Sequence, residues 1–490
     1  MNQNKFNVFG IDKQIIGALD VLGYTMPTEV QKQVVPLMLE GKDVLVKSQT
    51  GSGKTASFGI PICDLVEWEE RAPQALILTP TRELATQIRD EIFNIGRYKR
   101  IKVVSVFGKS SFQMQEKQLK QRTHVVVATP GRLFDHIERK TIDLSKIKYV
   151  IIDEADEMFE MGFIEQIERI LNYLPKNHVT ALFSATMPEA VKHLSKKYMH
   201  NPISIEIAPT EKSKKRILQE FAMVDDDRKL DHFKGILIVE RPKSSIVFCN
   251  TKVMVEEVTK QMKLLGIHCE MLHGGMEQRD RTRVIQDFKR GYFNFLVATD
   301  VAARGIDVAD IQLVVNYDIP EKPETYVHRI GRTARFENSG KALSLVNSHD
   351  RENFEEIYEA QDGQIEEISL PTKKQVENYR EAFNMSLDTK PTLRKEKGLA
   401  FNEDIMKIHI NAGKKQKMRA GDIVGALCNI DGMTAEDIGV IELLDISTFV
   451  EILNGKGQKV LKALQTMPVK GRLRKVNRSN ETKYEQDLRS

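Results

Sequence analysis

Short, uninterrupted apolar runs are the feature that most constrains how this chain can fold. Several occur within the first 205 or so residues, and most are rich in β-branched residues. Strands that are apolar on both faces are typical of a parallel sheet covered by helices on both sides. The segments between the runs are long enough for crossover helices. The runs are 43–48, 75–80, 124–130, 148–156 and 179–186.

The same pattern restarts after a polar, charged stretch at 209–216. We therefore predict a first α/β domain at 1–208, an interdomain linker at 209–216 and a second α/β domain at 217–370. Residues 371–403 are charged and weakly periodic, which indicates a terminal helix plus a linker. The second series of apolar runs is 244–251, 268–272, 293–300, 311–318 and 341–348.

The last part of the chain changes character. Residues 404–479 read as a βαββαβ unit, and 480–490 as a tail. Residues 404–490 hold 15 Lys and Arg against 11 Asp and Glu. A basic terminal domain is a first indication of a nucleic-acid partner. The predicted elements are a strand at 406–413, a helix at 419–430, strands at 438–445 and 447–454, a helix at 456–466 and a strand at 471–477.

Composition excludes several classes of protein. At 490 residues the chain is too long for one core, and its 41% hydrophobic and 29% charged content is ordinary for a globular protein. No run approaches the roughly 18 apolar residues of a transmembrane helix, and the N-terminus lacks a signal-peptide pattern. The four cysteines have no metal or disulfide spacing. We expect a cytoplasmic protein without membrane association.

A glycine-rich segment, "SQTGSGKT" at 48–55, follows a predicted strand and precedes a helical stretch. Glycines let the backbone turn its N–H groups toward a polyphosphate, and a helix start favours negative charge. Lys54 would reach the β- and γ-phosphates, and Thr55 would ligate Mg²⁺. Ser48 replaces the first glycine of the usual pattern, and the alternative is a plain turn before a helix. The loop residues that would cradle the phosphates are Thr50, Gly51, Ser52 and Gly53.

Two carboxylates end the buried run "VIIDEAD". At the carboxyl edge of a parallel sheet they would face the crevice where ligands bind. Asp153 fits the role of holding Mg²⁺, and Glu154 fits a base that positions or deprotonates the attacking water. The alternative is an acidic N-cap of the following helix.

With "SQTGSGKT", the "DEAD" at 153–156 resembles the DEAD-box ATP-dependent RNA helicases. Further motifs of that family occur in its order across about 3–370. The resemblance implies two tandem RecA-like parallel-sheet domains, ATP and Mg²⁺ as cofactors, and RNA as partner. The motifs are "GYTMPTEVQ" (23–31), "PTRELA" (80–85), "TPGR" (129–132), "SAT" (184–186), "IVFCNT" (246–251), "QRDR" (278–281), "ATDVAARGID" (298–307) and "HRIGRTAR" (328–335).

The resemblance also implies an adenosine site. Phe6 would stack on adenine, Gln31 would hydrogen-bond its edge, and Asp307 would bind the ribose hydroxyls. An amide suits adenine because it both donates and accepts. Two positions before Gln31 depart from the family, where Glu29 and Val30 replace Pro and Ile. The alternative for Phe6 is an ordinary surface or core aromatic.

Catalysis would be divided between the two domains. Ser184 and Thr186 resemble the motif that couples hydrolysis to RNA, and the resemblance places Asp156 and His328 in the same network. Arg332 and Arg335 would act as arginine fingers on the γ-phosphate, with a solvated basic helix face as the alternative. Because the phosphate loop and these arginines belong to different domains, domain closure would gate hydrolysis.

Contacts to RNA are implied at six further positions. Basic and hydroxyl groups there would bind phosphate and 2′-OH without reading sequence, and ordinary surface charges are the alternative. One departure is Lys109, where the family has the second glycine of a pair. The six residues are Arg82, Thr129, Arg132, Arg281, Thr299 and Arg304.

The βαββαβ order predicts a fold like the RNA-recognition motif (RRM), but its aromatic RNA-binding signatures are nearly absent. Two basic clusters are better candidates, and alternation along 471–477 puts the first two arginines of the second cluster on one face. A protein-binding domain is the alternative. The first cluster is Lys414, Lys415, Lys417 and Arg419; the second is Arg472, Arg474, Lys475 and Arg478.

With its helicase core, this terminal domain resembles the DbpA type of bacterial DEAD-box helicase. The resemblance implies that the domain binds a 23S ribosomal RNA hairpin. We predict a monomeric ATP-dependent RNA helicase that remodels structured RNA during assembly of the large ribosomal subunit. The alternatives are an ATP-gated RNA clamp with little unwinding and, less favoured, a DNA translocase.

Overall fold

The protein is described by a computed structural model over residues 4–49, 51–207, 217–303, 311–333, 339–387, 393–394, 398, 400–401 and 404–479. The predicted linker at 209–216 and tail at 480–490 lie outside these residues. So do four predicted site residues, Thr50, Arg304, Asp307 and Arg335. We call 4–207 the first lobe, 217–387 the second lobe and 404–479 the C-terminal domain.

The first lobe is built on a seven-stranded parallel sheet in the order β3-β4-β2-β5-β6-β1-β7. Five strands coincide with the predicted apolar runs. The edge strands β3 and β7 were not predicted, because one has a serine in its middle and the other is mostly exposed. The strands are β1 Val44–Lys47, β2 Ala75–Leu78, β3 Val103–Val106, β4 Val125–Ala128, β5 Tyr149–Ile152, β6 Val179–Ser184 and β7 Ile203–Glu206.

Helices cover both faces of this sheet, and each face has its own apolar cluster. The helices that matter most for the site begin directly after strand ends, α3 after β1 and α7 after β5. In chain order the helices are α1 Lys13–Val21, α2 Glu29–Leu39, α3 Lys54–Leu65, α4 Arg82–Ile95, α5 Phe112–Leu119, α6 Pro130–Glu138, α7 Ala155–Glu160, α8 Ile164–Asn172 and α9 Glu189–Tyr198.

The second lobe repeats this plan. Its seven strands are parallel, in the order β10-β11-β9-β12-β13-β8-β14. The predicted runs form β9 to β13, of which β10 is an edge strand, and β8 and the two-residue β14 were not predicted. The strands are β8 Ile217–Met223, β9 Ser245–Phe248, β10 Cys269–Leu272, β11 Phe295–Ala298, β12 Leu313–Asn316, β13 Gly340–Val346 and β14 Glu366–Glu367.

The helices of the second lobe close with the predicted terminal helix, which packs against the first helix of the lobe. Two apolar clusters on opposite faces of the sheet again form the main core. The helices are α10 Lys229–Glu240, α11 Lys252–Leu264, α12 Gln278–Arg290, α13 Asp300–Ala303, α14 Pro323–Ile330, α15 Arg351–Ala360 and α16 Lys373–Leu387.

The C-terminal domain has the predicted βαββαβ order, with an antiparallel sheet in the order β16-β17-β15-β18. Its core lies between that sheet and two helices. No helix in the described ranges is both long and apolar enough to cross a membrane. The elements are β15 Met406–Ile410, α17 Ala420–Cys428, β16 Ile438–Leu443, β17 Thr448–Ile452, α18 Gly457–Ala463 and β18 Val476–Arg478.

One prediction about this domain is wrong. Its last strand begins at Val476 and not at Gly471. Arg472 and Arg474 therefore precede the strand instead of alternating along it, and Arg472 forms only an isolated bridge with Val469. The reason is a turn at Lys470–Gly471, where both residues have positive φ.

Candidate active site at the seam between the lobes

The phosphate loop turns into α3 at Gly53, which is its N-cap. Gly53 has a φ of +93°, and a Cβ atom there would lie 2.7 Å from Nε2 of Gln31. The left-handed conformation favours glycine, and a Cβ atom would in addition displace the Gln31 amide. The next residue, Lys54, is 7% exposed and donates from Nζ to the carbonyl oxygen of Ser48 at 3.2 Å. The loop is thus closed on itself, with its lysine held at a helix N-terminus, which favours an anion.

Gln31 lies against this loop instead of facing open space. Its Nε2 donates to the carbonyl of Gly53 at 3.2 Å, and its Oε1 accepts from the amide of Thr28 at 2.9 Å. The side chain therefore caps α2 and braces the phosphate loop. A nucleobase would have to share or replace these bonds, so base reading by Gln31 stays a prediction.

Phe6 has no exposed surface. Its ring packs edge-on against Phe9 and Tyr24, with ring centroids at 6.0 and 6.4 Å. This burial favours the alternative of a core aromatic. Stacking of Phe6 on adenine stays a prediction that the structure does not favour.

The carboxylates follow β5 at the edge where the loop also lies. Burial raises the pKa of Asp153, against the lowering effect of Lys54. Burial and the charges of Asp153 and Glu157 raise the pKa of Glu154 to about 7. Glu154 also has a left-handed φ of +53°, an uncommon conformation for a non-glycine residue. Strain and a perturbed carboxyl together are typical of a functional position.

The donor set here fits Mg²⁺. A hydroxyl and a carboxylate, from Thr55 and Asp153, are hard oxygen ligands, and Mg²⁺ is usually held by one or two carboxylates together with substrate phosphates. The buried Asp153 carboxylate is a favourable place for a cation, because a bound cation would offset the burial that raises its pKa. No cluster of three or more His, Cys, Asp or Glu ligands occurs in the described ranges, and this mode of binding does not need one.

Asp156 joins α7 to the end of β6. Its Oδ2 accepts from the amide of Ala185 at 3.1 Å and from the amide and hydroxyl of Thr186 at 2.7 and 2.9 Å. Its own amide donates to the hydroxyl of Ser184 at 3.2 Å. The "DEAD" and "SAT" segments, which the resemblance places in one network, are therefore one hydrogen-bonded unit.

His328 reaches this unit from the second lobe through Glu157, the residue after "DEAD". Its Nδ1 lies 2.6 Å from Oε1 of Glu157, and the side chains are 12% and 4% exposed. Burial lowers the pKa of His328, but the hydrogen bond and charge of Glu157, with Asp156 and Glu154, outweigh it, so the pKa is raised. The sequence analysis missed Glu157, whose only signal was its place one residue after "DEAD".

Arg332 also faces the carboxylates across the seam. It is 6% exposed, and its charge opposes the rise in the pKa of Glu154. A small cavity at the seam is lined by Glu157, His328 and Arg332. The structure thus brings Arg332, one of the two predicted arginine fingers, to the carboxylates of Glu154 and Glu157. Arg335 and Asp307 lie outside the described residues.

Arg329, which the sequence analysis did not single out, organises the second lobe beneath the seam. It is 1% exposed, and its Nε and Nη2 lie 2.5 and 2.7 Å from the carboxylate of Asp300. It also donates to Asn250 and to the carbonyl of Asp318. This arginine ties α14 to the ends of β9, β11 and β12, and so positions His328 and Arg332.

Two arginines that were predicted to contact RNA bond to side chains of the other lobe. Arg82 at the start of α4 donates to Gln278 on α12 at 2.6 Å. Arg281 on α12 lies 3.1 Å from Glu83, with side chains 14% and 11% exposed. Both arginines are therefore bonded to side chains of the other lobe, which favours the alternative of paired surface charges. RNA binding by Arg82 and Arg281 stays a prediction.

The other residues of the two lobes that were predicted to contact RNA are not part of these contacts between the lobes. Arg132 donates to the carbonyl of Ser110 at 3.0 Å and to Gln115 at 3.1 Å. Thr129 is the buried N-cap of α6, and Thr299 follows β11. In the C-terminal domain both basic clusters are exposed, apart from the half-buried Arg474.

Two parallel-sheet lobes that meet beside a phosphate-loop motif and buried carboxylates are typical of the class of two-domain, nucleotide-dependent enzymes. Comparison with protein families gives three matches. Residues 28–194 match the DEAD/DEAH box helicase family, 228–337 the helicase conserved C-terminal domain, and 407–478 the DbpA RNA binding domain.

Similar proteins agree. The chain is 50% identical over 476 residues to the ATP-dependent RNA helicase DbpA of Bacillus subtilis, covering 97% of this chain and 99% of that protein. It is 40% identical to the DEAD-box ATP-dependent RNA helicase CshA of Geobacillus kaustophilus over 76% and 78% of the two chains. Dbp5 of S. cerevisiae, solved with RNA and ADP BeF3, superposes with a TM-score of 0.68 at 30% identity, over 79% and 100% of the chains. The chain belongs to the DbpA-type DEAD-box ATP-dependent RNA helicases.

Proposed function

We propose that the chain hydrolyses ATP at the seam between its lobes and uses lobe closure to separate short RNA duplexes. One observation carries this proposal. His328 and Arg332 of the second lobe lie against the acidic groups of the first lobe, at Glu157 and Glu154. A site completed by both lobes exists only when they are closed, so closure and hydrolysis are coupled.

In this proposal each residue has a distinct task. Lys54 and the loop amides bind the β- and γ-phosphates, and Thr55 and Asp153 hold Mg²⁺, which neutralises phosphate charge when bound. Glu154 accepts the proton of the attacking water, since a pKa of about 7 suits a base at neutral pH. Arg332, with Arg335, stabilises the charge that develops on the γ-phosphate.

The proposed substrate is 23S ribosomal RNA during assembly of the large subunit in the cytoplasm, with the protein acting as a monomer. The C-terminal domain supports an RNA target, because it matches the DbpA RNA binding domain and exposes two basic clusters. The proposed mode is anchoring: these clusters hold a 23S hairpin while the lobes act on a nearby duplex.

Glu154→Gln tests the catalytic assignment. We expect RNA-stimulated ATPase to fall by about 10²–10⁴-fold, the usual contribution of a general base, with ATP affinity retained. The measurements are steady-state ATPase and titration of a fluorescent ATP analogue. Glu165→Gln, at an exposed position on α8, is the matched control. Unchanged turnover in Glu154→Gln contradicts the assignment.

Single-turnover separation of a short RNA duplex distinguishes unwinding from the alternative of an ATP-gated clamp. Release of the strand within one ATP turnover supports unwinding. ATP-dependent retention of RNA without strand release supports the clamp. The same assay with a DNA duplex tests the translocase alternative.

Removing charge from both basic clusters tests the RNA anchor. We expect Lys414→Ala, Lys415→Ala, Arg472→Ala and Arg474→Ala together to abolish preference for the 23S hairpin in an ATPase panel of RNAs. The slope of log affinity against log salt should become shallower by roughly 0.7–0.9 for each phosphate that the variant no longer neutralises. Lys459→Ala with Lys462→Ala, both exposed on α18, is the control. Retained preference in the fourfold variant excludes the anchor.

A further inference from the structure

The C-terminal domain lies against the open edge of the first lobe. Strand β3 ends the sheet order of that lobe. A cavity of about 170 Å³ separates Val104 and Ser105 of β3 from Phe449 and Glu451 of β17. Because side chains alternate along a strand, and Val450 belongs to the core of the domain, Phe449 and Glu451 project from its other sheet face. That sheet face is the one turned toward the first lobe.

A buried ion pair crosses this interface. Nη2 of Arg97 lies 2.9 Å from Oε1 of Glu451, with side chains 11% and 6% exposed. In the described part of the chain, Nε of Arg97 and Oε2 of Glu451 have no hydrogen-bond partner. A desolvated pair with incomplete bonding stabilises little, but loss of one partner leaves an uncompensated buried charge. The pair therefore makes the contact specific, and loss of either partner would weaken it.

The chain leading into the domain is held on the same surface. Phe401 has no exposed surface, and its ring lies edge-on to Tyr98 at 5.5 Å and below the Arg97 guanidinium at 4.9 Å. Phe401 belongs to the apolar cluster of the first lobe. Arg100 adds a hydrogen bond from Nη2 to the carbonyl of Ala435 at 2.6 Å. The domain is thus anchored by its entry segment as well as by its sheet.

Docking leaves the predicted RNA-binding clusters accessible. Lys414, Lys415 and Arg472 are exposed while the sheet face is covered. The turn beside the first cluster touches α5 of the first lobe, where Lys117 lies 3.2 Å from Asp445. RNA can therefore be held by the basic clusters without undocking the domain.

We propose that the first lobe and the C-terminal domain form one rigid unit, so that RNA on the basic clusters keeps a constant position relative to the first lobe. Only the second lobe moves during the ATP cycle. The RNA partner in this inference rests on the proposed function, but the rigid docking does not. The carrying observations are the Arg97–Glu451 pair and the buried Phe401 anchor.

Distances between fluorophores test the rigid unit. Cys428 is the exposed cysteine of the four, and the others are buried. Labels on Cys428 and on Glu165→Cys report the distance between the C-terminal domain and the first lobe. Labels on Glu165→Cys and Lys260→Cys, in a Cys428→Ser background, report the two lobes. On adding a non-hydrolysable ATP analogue and single-stranded RNA, we expect only the second distance to shorten.

Charge reversal tests the contact. We expect Arg97→Glu and Glu451→Arg each to lengthen and broaden the first distance, and the double swap to restore it. Phe401→Ala should also broaden it, whereas Lys117→Glu, at the exposed pair, should leave it unchanged. Melting temperatures confirm that each variant is folded. Three results would overturn the proposal. The distance between the first lobe and the C-terminal domain shortens on closure, it stays unchanged in both charge reversals, or the double swap does not restore it.

Activity separates this inference from the proposed function. With a short duplex joined to a 23S hairpin, we expect each single reversal to slow strand separation about tenfold and the swap to recover it. Affinity for the isolated hairpin should be unchanged in all variants. If hairpin affinity is absent in the unmodified protein, the proposed RNA target fails, while the distance results still decide the docking. Unchanged strand separation in both reversals excludes a role for docking in presenting RNA.

Discussion

At the scale of single residues, the phosphate loop depends on one glycine that meets two demands. Gly53 has a left-handed backbone and lies against the side chains of Gln31 and Thr28. The loop, the start of α3 and the start of α2 therefore meet at one point. A substitution there changes both conformation and packing.

Gly53→Ala should weaken ATP binding and lower the melting temperature. The Cβ atom would strain the backbone by about 1–2 kcal/mol and displace the Gln31 amide that braces the loop. Gly10→Ala is the matched control, because Gly10 has a φ of +68° but no atom within 4 Å of the added carbon. We expect Gly10→Ala to lower only the melting temperature. Equal ATP affinity in both variants, by fluorescent titration, would show that the Gln31 contact does not matter.

At the scale of elements, the "DEAD" helix and the end of β6 are joined by one carboxylate. Oδ2 of Asp156 accepts three hydrogen bonds, and Oδ1 accepts from the amide of Glu157 at 3.2 Å. Both oxygens face donors. An amide group cannot satisfy both sides, whichever way it is turned.

Asp156→Asn should therefore destabilise the first lobe by about 1–3 kcal/mol, because a donor is forced against a donor. Urea unfolding of the full chain measures the loss. Thr186→Val removes one of the three hydrogen bonds to Oδ2 and should destabilise the first lobe less than Asp156→Asn does. A smaller loss in Asp156→Asn than in Thr186→Val would contradict this account.

Element prediction worked where burial left a clear sequence pattern and failed where it did not. The central strands of both lobes are buried on both faces, so continuous apolar runs identified them. Strand β7 is exposed at three of its four residues, and β14 has only two residues. Arg472 was predicted to lie within the last strand, because a segment with alternating basic residues looks like a strand. The turn at Lys470–Gly471 instead delays the start of β18 to Val476.

Within the site, contacts between motifs of one lobe could be anticipated, but contacts between lobes could not. The resemblance implied the Asp156 network, whose two segments lie at the ends of the neighbouring strands β5 and β6. The partner of His328 depends on how two sheets approach each other, and no local pattern specifies that Glu157 is nearer than Asp156. The role of Arg329 is likewise visible only once the strand ends of the second lobe are assembled.

At the scale of the whole molecule, lobe closure includes a titratable contact. Closure gives His328 the Glu157 carboxylate, which raises its pKa despite burial. A group whose pKa is raised in the closed state stabilises that state fully at pH values below its ordinary pKa, which is about 6.5 for histidine. This stabilisation is lost as the pH rises through the raised pKa. Closure should thus be most favourable on the acidic side.

The measurement is the affinity for RNA in the presence of a non-hydrolysable ATP analogue, across pH. We expect affinity to fall as pH rises through the raised pKa of His328. His328→Gln should remove this fall, because glutamine does not titrate in this range. A fall of equal size in His328→Gln would assign the titration to another group.

Without the C-terminal domain, strand β3 would be an exposed edge strand that favours aggregation. The strand ends the sheet order, and the cavity and the docked domain lie beside it. An uncovered outer strand offers unpaired amides and carbonyls to any other extended chain, which invites aggregation. The appended domain would then act as an intramolecular solubility shield, and a proteolytic cut ahead of Phe401 would release two fragments, the larger one prone to self-association.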